Sequence, residues 1–208
     1  CSRALDGHFR HAALFIGSNV REAVQAGDAD YIPVHLSDVP RLFLSRQRPI
    51  DVALITVSEP RPDGTCTLGV SVDVVRAAVD SADVVIAEVN PRMPETSGDA
   101  IVRVEDLDGL VPHTAELLEL PRASVDAIAE RIGRHIARLI EDGSTIQAGI
   151  GSIPDAALAA LRDKRDLGVH TEMLSDGMID LIEQGVITNT RKALDPGKTV
   201  ASFVLGTR

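Results

Sequence analysis

The sequence predicts an α/β protein with open, mostly parallel sheets, helices on both sheet faces and parts of two domains. Short apolar runs bounded by turn residues alternate with segments of helical periodicity, which is typical of strands connected by helices. The 208 residues, 44% of them hydrophobic, suffice for one large domain or two small ones. Because aromatic residues make up only 2% of the chain, we expect an aliphatic core.

Seven apolar runs are predicted to be strands. In chain order they cover residues 12–16, 31–35, 51–57, 83–89, 144–148, 169–172 and 199–205. The last run is expected to be a buried strand with nothing after it to cover it. Since the first residue, Cys1, is not methionine, both ends suggest a fragment of a longer protein. A natural small domain remains the alternative.

Helices are predicted between these strands. The longest has an apolar face that begins at Val125 and ends at Ile140, with Ser124 as the N-cap and Gly143 just beyond the end. The other predicted helices cover residues 20–26, 39–46, 72–81, 154–164 and 178–184. A turn-rich region precedes the long helix and ends at Pro121. We therefore expect residues 1–120 and 121–208 to belong to different domains.

Composition and charge exclude several classes of partner. A formal net charge of -10 disfavours nucleic acids and anionic membrane surfaces, because both are bound by basic faces. No apolar run approaches the length of a membrane span. The two cysteines, Cys1 and Cys66, form no disulfide or metal-binding motif, and no histidine has zinc-site spacing. We expect a cytoplasmic protein with no metal site.

A glycine loop and a carboxylate, about twenty residues apart, form the main candidate site. The loop is Gly149-Ile150-Gly151-Ser152-Ile153-Pro154, and the carboxylate is Glu172. The loop follows one predicted strand and Glu172 ends the next. Because consecutive strands of a βαβ unit are parallel, their carboxyl ends meet at one edge of the sheet, where open α/β sheets bind ligands.

The residues alone leave the role of this site open. A glycine loop followed by an acidic residue is also part of the NAD-binding fingerprint, although Pro154 breaks its glycine pattern. In that reading Glu172 binds ribose hydroxyls, whereas in the simplest reading it is a solvated carboxylate. Asn90, just after a strand and on the same face as Glu88, either points into the cleft or stabilises the turn before Pro91.

A family resemblance rests on six groups of residues that follow one another along the chain. They are residues 29–34 with 39–40, 66–73, 88–90 with 93–94 and 98–99, 146–154, 166–173, and 176–177. With these segments the sequence resembles the acetyl-CoA hydrolase/transferase family of class I CoA-transferases. Within that family it is most similar to the 4-hydroxybutyrate or butyrate CoA-transferase branch.

The resemblance implies a CoA-transferase fold and a defined site. Residues 1–120 would be the remainder of the N-terminal CoA-transferase domain, and residues 121–208 the start of the C-terminal one. Glu172 would be the catalytic nucleophile. The CoA-binding loop would consist of Gly149, Ile150, Gly151, Ser152 and Ile153, with Asn90 as a possible cleft residue.

The implied reaction moves CoA between a short-chain acyl-CoA (acetyl-, butyryl- or 4-hydroxybutyryl-CoA) and a carboxylate through a glutamyl-CoA thioester. CoA would then be a co-substrate, with no permanently bound cofactor, and the protein is expected to be a homodimer. Three alternatives remain: an acetyl-CoA hydrolase that uses the same glutamate, an NAD-binding oxidoreductase domain, and a fragment that binds CoA without catalysis.

Two local features add to these expectations. Family members commonly carry Ser-Pro-Pro-Asp where this chain has Ser58-Glu59-Pro60-Arg61-Pro62-Asp63, which suggests a change in acyl or acceptor preference. A basic group near the proposed site, interpreted as a solvated surface cluster or as a contact for CoA phosphates, comprises Arg191, Lys192, Lys198 and Arg208.

Overall fold

The computed structural model describes residues 7–207, so Cys1 and Arg208 lie outside the described residues. The strands are β1 (Ala12–Ala13), β2 (Asp30–Tyr31), β3 (Val52–Val57), β4 (Thr65–Thr67), β5 (Val84–Val89), β6 (Ile101–Arg103), β7 (Gly109–Pro112), β8 (Thr145–Ile146), β9 (Gly168–Leu174) and β10 (Val200–Val204). The helices are α1 (Ser18–Ala26), α2 (Val39–Leu44), α3 (Val75–Ser81), α4 (Ala127–Leu139), α5 (Ser152–Ala159) and α6 (Asp176–Glu183).

Strand pairing confirms the predicted α/β class. In the described part of the chain, five of the six strand pairs are parallel, and only β4 and β6 pair antiparallel. All seven predicted strands are present, several of them shorter than predicted. Three short strands, β4, β6 and β7, are additional to the prediction, because they lie outside the seven apolar runs.

Five of the six helices begin two or three residues from their predicted starts, and the starts of α4 and α5 are the informative differences. The N-cap of α4 is Asp126 and not Ser124, since the Asp126 carboxylate accepts a hydrogen bond from the amide of Ala129 at 2.7 Å. Apolar periodicity placed Val125 inside the helix, but the side chain that binds the first-turn amide fixes the start. Helix α5 begins at Ser152, which places Pro154 within its first turn.

The first three-stranded sheet has the order β3-β5-β7 and is covered unequally. One face carries residues such as Val57 and Ala87, which pack with α3 and the β4–β6 pair in an aliphatic core. The opposite face exposes apolar side chains, and Leu54 is 77% exposed. Val52 and Val111, which lie on the same face, are exposed as well.

The second three-stranded sheet has the order β10-β9-β8, and all its strands are parallel. Its core joins Ile146 and Val169 to side chains of α4, α5 and α6. The strand β10 at the edge is half-buried along its whole length, so the prediction of a buried strand was wrong. Its pairing with β9 satisfies the hydrogen-bonding groups on one side of its backbone, while its side chains remain partly exposed to solvent.

Strand β10 also connects the two halves of the structure. The amide of Val204 donates to the carbonyl of Val70 at 2.7 Å, and the amides of Val72 and Asp73 donate to the carbonyl of Ser202 at 3.0 and 3.1 Å. The first half thus contacts the strand next to β9. Because the two cores have separate helices and sheets, we propose, as predicted from the sequence, that the domain boundary lies near Pro121.

Gly133 is required where α4 crosses α5. A Cβ at this position would lie 2.6 Å from the backbone carbonyl carbon of Ala156. We expect Gly133→Ala to lower the free energy of unfolding by about 1–3 kcal/mol through overpacking, although alanine favours an isolated helix. Urea denaturation measures the loss, with Arg131→Ala on the exposed face as the control. Equal stability of both variants would show that the helices can separate without cost.

Candidate functional site

The predicted βαβ unit is present and brings the glycine loop to Glu172. Strands β8 and β9 pair in parallel, with Ile146 opposite Val169. The pairing continues beyond the strand, because the amide of Ala148 donates to the hydroxyl of Thr171 at 3.4 Å and this hydroxyl donates to the Ala148 carbonyl at 3.2 Å. Gly149, the next residue of the loop, is therefore level with Glu172.

The loop leaves open space over its glycines. A Cβ placed on Gly149 or Gly151 would meet no atom of the described residues within 4 Å. Gly151 has φ 114° and ψ 178°, a conformation essentially restricted to glycine, and it directly precedes α5. The first amides of α5 therefore begin at the loop, where they have no acceptor within the helix. A ligand can approach this backbone closely.

Glu172 lies on the solvent side of β9. Its neighbours Thr171 and Met173 are buried, whereas Glu172 and His170 are exposed on the same face, as the sequence predicts. Within residues 7–207, the Glu172 carboxylate makes no hydrogen bond or ion pair. The described part of the chain therefore leaves the Glu172 carboxylate in contact with solvent.

Strand β10 places the first half of the structure near Glu172. Ala201 pairs with Thr171 and Phe203 pairs with Met173, so Ser202 is level with Glu172. The carbonyl of Ser202 is the acceptor for the amides of Val72 and Asp73. Two groups of residues that carry the family resemblance, 66–73 and 166–173, thus lie on either side of one strand.

Asn90 is buried, and its amide is bound by the backbone. Its Nδ2 donates to the carbonyl of Ala115 at 2.9 Å, and its Oδ1 accepts from the amide of Arg92 at 3.1 Å. These bonds stabilise the turn after β5 and connect it to the segment after β7. They favour the turn role, and a place for Asn90 in the cleft stays a prediction.

Lys192 is buried, in contrast to its predicted place in a solvated or phosphate-binding cluster. Its Nζ donates to the carbonyls of Val169 at 2.8 Å and Lys198 at 2.6 Å. Gly168 makes room for the lysine stem, since a Cβ there would lie 3.0 Å from the Lys192 Cδ. The buried ammonium group thus connects the start of β9 to the loop before β10 through hydrogen bonds. No pattern in the sequence indicates this role.

Two of the cavities in the described part of the structure lie beside the second sheet. A larger one of about 840 Å³ includes His170, Lys198 and Ser202 among its lining residues. A smaller one of about 400 Å³, here named the α6 cleft, lies between Ile150–Gly151 of the loop, residues 175–177 at the start of α6, and Leu205–Gly206 after β10. The glycine loop therefore forms one wall of the α6 cleft.

Asp176 lines the α6 cleft and is bonded to Thr207 and Arg122. Burial alone would raise the pKa of its carboxyl group, but hydrogen bonds from the amide and hydroxyl of Thr207 and the charge of Arg122 outweigh burial and lower this pKa. Arg122 is also paired with Asp180, at 2.6 and 2.9 Å. Residues 176–177 belong to the segments that carry the family resemblance, but no sequence pattern indicates the role of Asp176.

Residues 7–207 contain no group of three or more His, Cys, Asp or Glu side chains arranged to hold a metal ion. Among the helices of the same range, none is both long and apolar enough to span a membrane.

The chain matches the model of a known protein family. The family model described as "Acetyl-CoA hydrolase/transferase N-terminal domain" matches residues 3–130. This chain belongs to the acetyl-CoA hydrolase/transferase family.

Relatives of this acetyl-CoA hydrolase/transferase chain agree with the match. It is 50% identical to the 4-hydroxybutyrate coenzyme A transferase of Clostridium kluyveri, over 97% of this chain and 47% of that protein. It is 47% identical to a succinyl-CoA:acetate/propanoyl-CoA:succinate CoA transferase of Fasciola hepatica, over 98% and 43%. The crystal structure of RipA from Yersinia pestis superposes with a TM-score of 0.89 at 33% identity, over 95% and 48%. The chain therefore spans about half the length of these relatives.

Alanine substitutions at the two loop glycines of this acetyl-CoA hydrolase/transferase chain distinguish the effect of backbone strain from that of steric crowding. We expect Gly151→Ala to lower the free energy of unfolding by about 1–3 kcal/mol, because φ 114° is strained for alanine. Gly149→Ala, the matched control, adds the same methyl group to equally open space and is expected to change stability by less than about 0.5 kcal/mol. Urea denaturation of both variants provides the comparison, and equal losses would contradict the strain argument.

The Asp176 carboxylate predicts a dependence of stability on pH. A lowered folded-state pKa stabilises the fold above the unfolded-state pKa of about 3.9, and the contribution disappears as the pH falls through the folded-state value. We expect Asp176→Asn to cost about 1.5–3 kcal/mol at pH 7, where the charged hydrogen bonds are intact. Denaturation at pH 7 and below pH 4 measures the free energy of unfolding of the unaltered protein and of Asp176→Asn. The difference between the two proteins is expected to narrow at acid pH. A cost that is independent of pH would exclude the charge as its source.

Proposed function

We propose that the full-length protein is a CoA-transferase that moves CoA between a short-chain acyl-CoA and a carboxylate, with Glu172 as the nucleophile. One observation carries the proposal: Glu172 is exposed at the carboxyl edge of the second sheet, level with the open backbone of Gly149. This geometry offers a thioester both a nucleophile and a glycine backbone. Membership of the acetyl-CoA hydrolase/transferase family supports this interpretation.

The reaction follows from an accessible carboxylate. A Glu172 oxygen attacks the acyl-CoA carbonyl, the C–S bond breaks, and CoA thiolate leaves a mixed acyl-glutamyl anhydride. The thiolate then attacks the glutamyl carbonyl, and the acyl group departs as a carboxylate. The product is a glutamyl-CoA thioester. An incoming carboxylate attacks this thioester and releases the thiolate, which attacks the new acyl carbonyl and restores the Glu172 carboxylate.

The proposed CoA loop, residues 149–153, supplies backbone donors. Amides at the start of α5 lack intrahelical acceptors and can hold the oxyanion of the tetrahedral intermediates or a phosphate of CoA. One well-aimed oxyanion donor contributes about 3 kcal/mol to the transition state in the precedent of acyl transfer. Energy from binding the distant parts of CoA can hold the thioester against Glu172.

We infer that residues beyond those described shield the proposed nucleophile, Glu172, from water. A solvated carboxylate is a weak nucleophile, and Glu172 is exposed in the described half of the site. The curated relatives are about twice as long as this chain. We infer that further parts of the protein close over the face of β9 that carries Glu172.

The finer proposals concern cofactors, donors and assembly. CoA serves as a co-substrate, and no permanently bound cofactor is required by the chemistry. Acetyl-, butyryl- and 4-hydroxybutyryl-CoA are the proposed donors, because transferases for such short acyl groups are similar to this chain. We keep the homodimer as a proposal, since the exposed apolar face of the first sheet needs cover from the rest of the protein or from a second copy. A cytoplasmic location likewise remains a proposal.

Hydrolysis is the second candidate activity. The observation in its favour is the solvent exposure of Glu172, because water that reaches a glutamyl-CoA thioester discharges it without an acceptor acid. Loss of acetyl-CoA thioester that requires an added carboxylate indicates transfer, and loss at the same rate without one indicates hydrolysis. The NAD-binding alternative rested on the loop pattern alone, and the family match supports CoA in its place.

Replacement of the nucleophile tests the proposal directly. In the full-length protein, Glu172→Gln is expected to reduce CoA transfer by at least about 10⁴-fold, because an amide oxygen cannot form the anhydride. The measurement is exchange of CoA between acetyl-CoA and butyrate, together with mass spectrometry after borohydride reduction. In the unaltered protein, the reduced adduct is expected on the peptide that contains Glu172.

A matched control separates loss of the nucleophile from a general loss of acidic charge. Glu22→Gln makes the same chemical change on an exposed position of α1 and is expected to leave exchange unaltered. Normal turnover of Glu172→Gln, or an adduct on another peptide, would reject Glu172 as the nucleophile.

A further inference from the structure

One buried side chain joins the strand that carries Glu172 to the strand that leads into the glycine loop. Thr171 directly precedes Glu172 on β9 and is 5% exposed. Its hydroxyl oxygen accepts a hydrogen bond from the amide of Ala148 at 3.4 Å, and the hydroxyl group donates to the carbonyl of Ala148 at 3.2 Å. Ala148 directly precedes Gly149, the first residue of the loop. The Thr171 hydroxyl group therefore links the residue before the proposed nucleophile to the residue before the proposed CoA loop.

The regular backbone pairing of β8 with β9 ends before the loop begins. Its last pair joins Ile146 to Val169, two residues before Ala148. In a parallel ladder that continued, backbone groups of β9 would bind the amide and carbonyl of the other strand. At Ala148 the side chain of Thr171 bonds both of these groups instead. The position of the loop relative to the end of β9 thus depends on one hydroxyl group.

The Thr171 hydroxyl group has a second acceptor, the carbonyl of Met173 at 3.1 Å. Because a hydroxyl group carries a single proton, it donates either to Ala148 or to Met173 at any one time. Its oxygen accepts the amide proton of Ala148 in both cases. Loss of the hydroxyl group would leave that amide without this partner beside a buried side chain, which costs more than the bond itself contributes.

We propose that Thr171 is a positioning residue for CoA transfer, whose hydroxyl group holds the glycine loop at a fixed distance from Glu172. The inference rests on the proposed function, which assigns the nucleophile and the loop. Thr171 lies on the buried face of β9, opposite Glu172, so it acts through the backbone of Ala148 and does not contact the substrate. A displacement of about 1 Å in an active site can lower a rate about 100-fold, so this single contact affects turnover strongly.

Removal of the hydroxyl group at nearly constant shape tests the proposal in the full-length protein. We expect Thr171→Val to lower kcat for exchange of CoA between acetyl-CoA and butyrate by about 10- to 100-fold. The Kd of CoA, measured by calorimetry, is expected to change less than about threefold, because CoA moves with the loop that binds it. Thr171→Ser restores the hydroxyl group and is expected to bring kcat within about threefold of the unaltered protein. If Thr171→Val does not fold, Thr171→Cys replaces it, since a thiol is a weak donor and acceptor.

Thr67→Val is the matched control, because Thr67 is also buried and its hydroxyl oxygen accepts from the amide of Thr96 at 3.3 Å, in the first half of the structure. It is expected to lower the thermal midpoint and to leave kcat within about twofold. An equal loss of kcat in both valine variants would attribute the effect to destabilisation. Unchanged kcat in Thr171→Val, or no recovery in Thr171→Ser, would refute the positioning role alone. If the unaltered protein exchanges no CoA, the proposed function itself fails.

Discussion

The parallel alignment of β9 between β8 and β10 is the constraint on which the site depends. It places Gly149 of the loop and Ser202 of β10 level with Glu172 on opposite sides of the same strand. A shift of one residue in either pairing would turn the Glu172 side chain to the face occupied by α4, α5 and α6. The Thr171 hydroxyl group, bonded to the backbone of Ala148, extends this alignment into the loop.

The two faces of β9 perform different tasks. Val169, Thr171 and Met173 are buried on one face, and Val169 joins the core with the three helices. The opposite face carries His170 and Glu172, which are exposed to solvent. A strand that is packed on one face and open on the other suits the proposal that other parts of the protein cover Glu172.

Helix starts provide the polar groups around this site. The N-terminus of α5 follows Gly151, and that of α6 follows Ser175, so first-turn amides from two helices lie on either side of the α6 cleft. The paired Asp176 carboxylate keeps the start of α6 in place through Thr207 and Arg122. The α6 cleft is thereby bordered by two helix starts, while much of its wall is apolar.

The sequence by itself determined the α/β class, the parallel β8-α5-β9 unit and the common face of His170 and Glu172, because apolar alternation and glycine spacing are local properties. It also carried the family resemblance that the comparison bears out. Only the tertiary structure decided the buried bonds of Lys192, the backbone bonds of Asn90 and the lack of a partner for the Ser175 hydroxyl group among residues 7–207. These depend on atoms that approach from distant parts of the chain, and such approaches leave no periodic trace in a sequence.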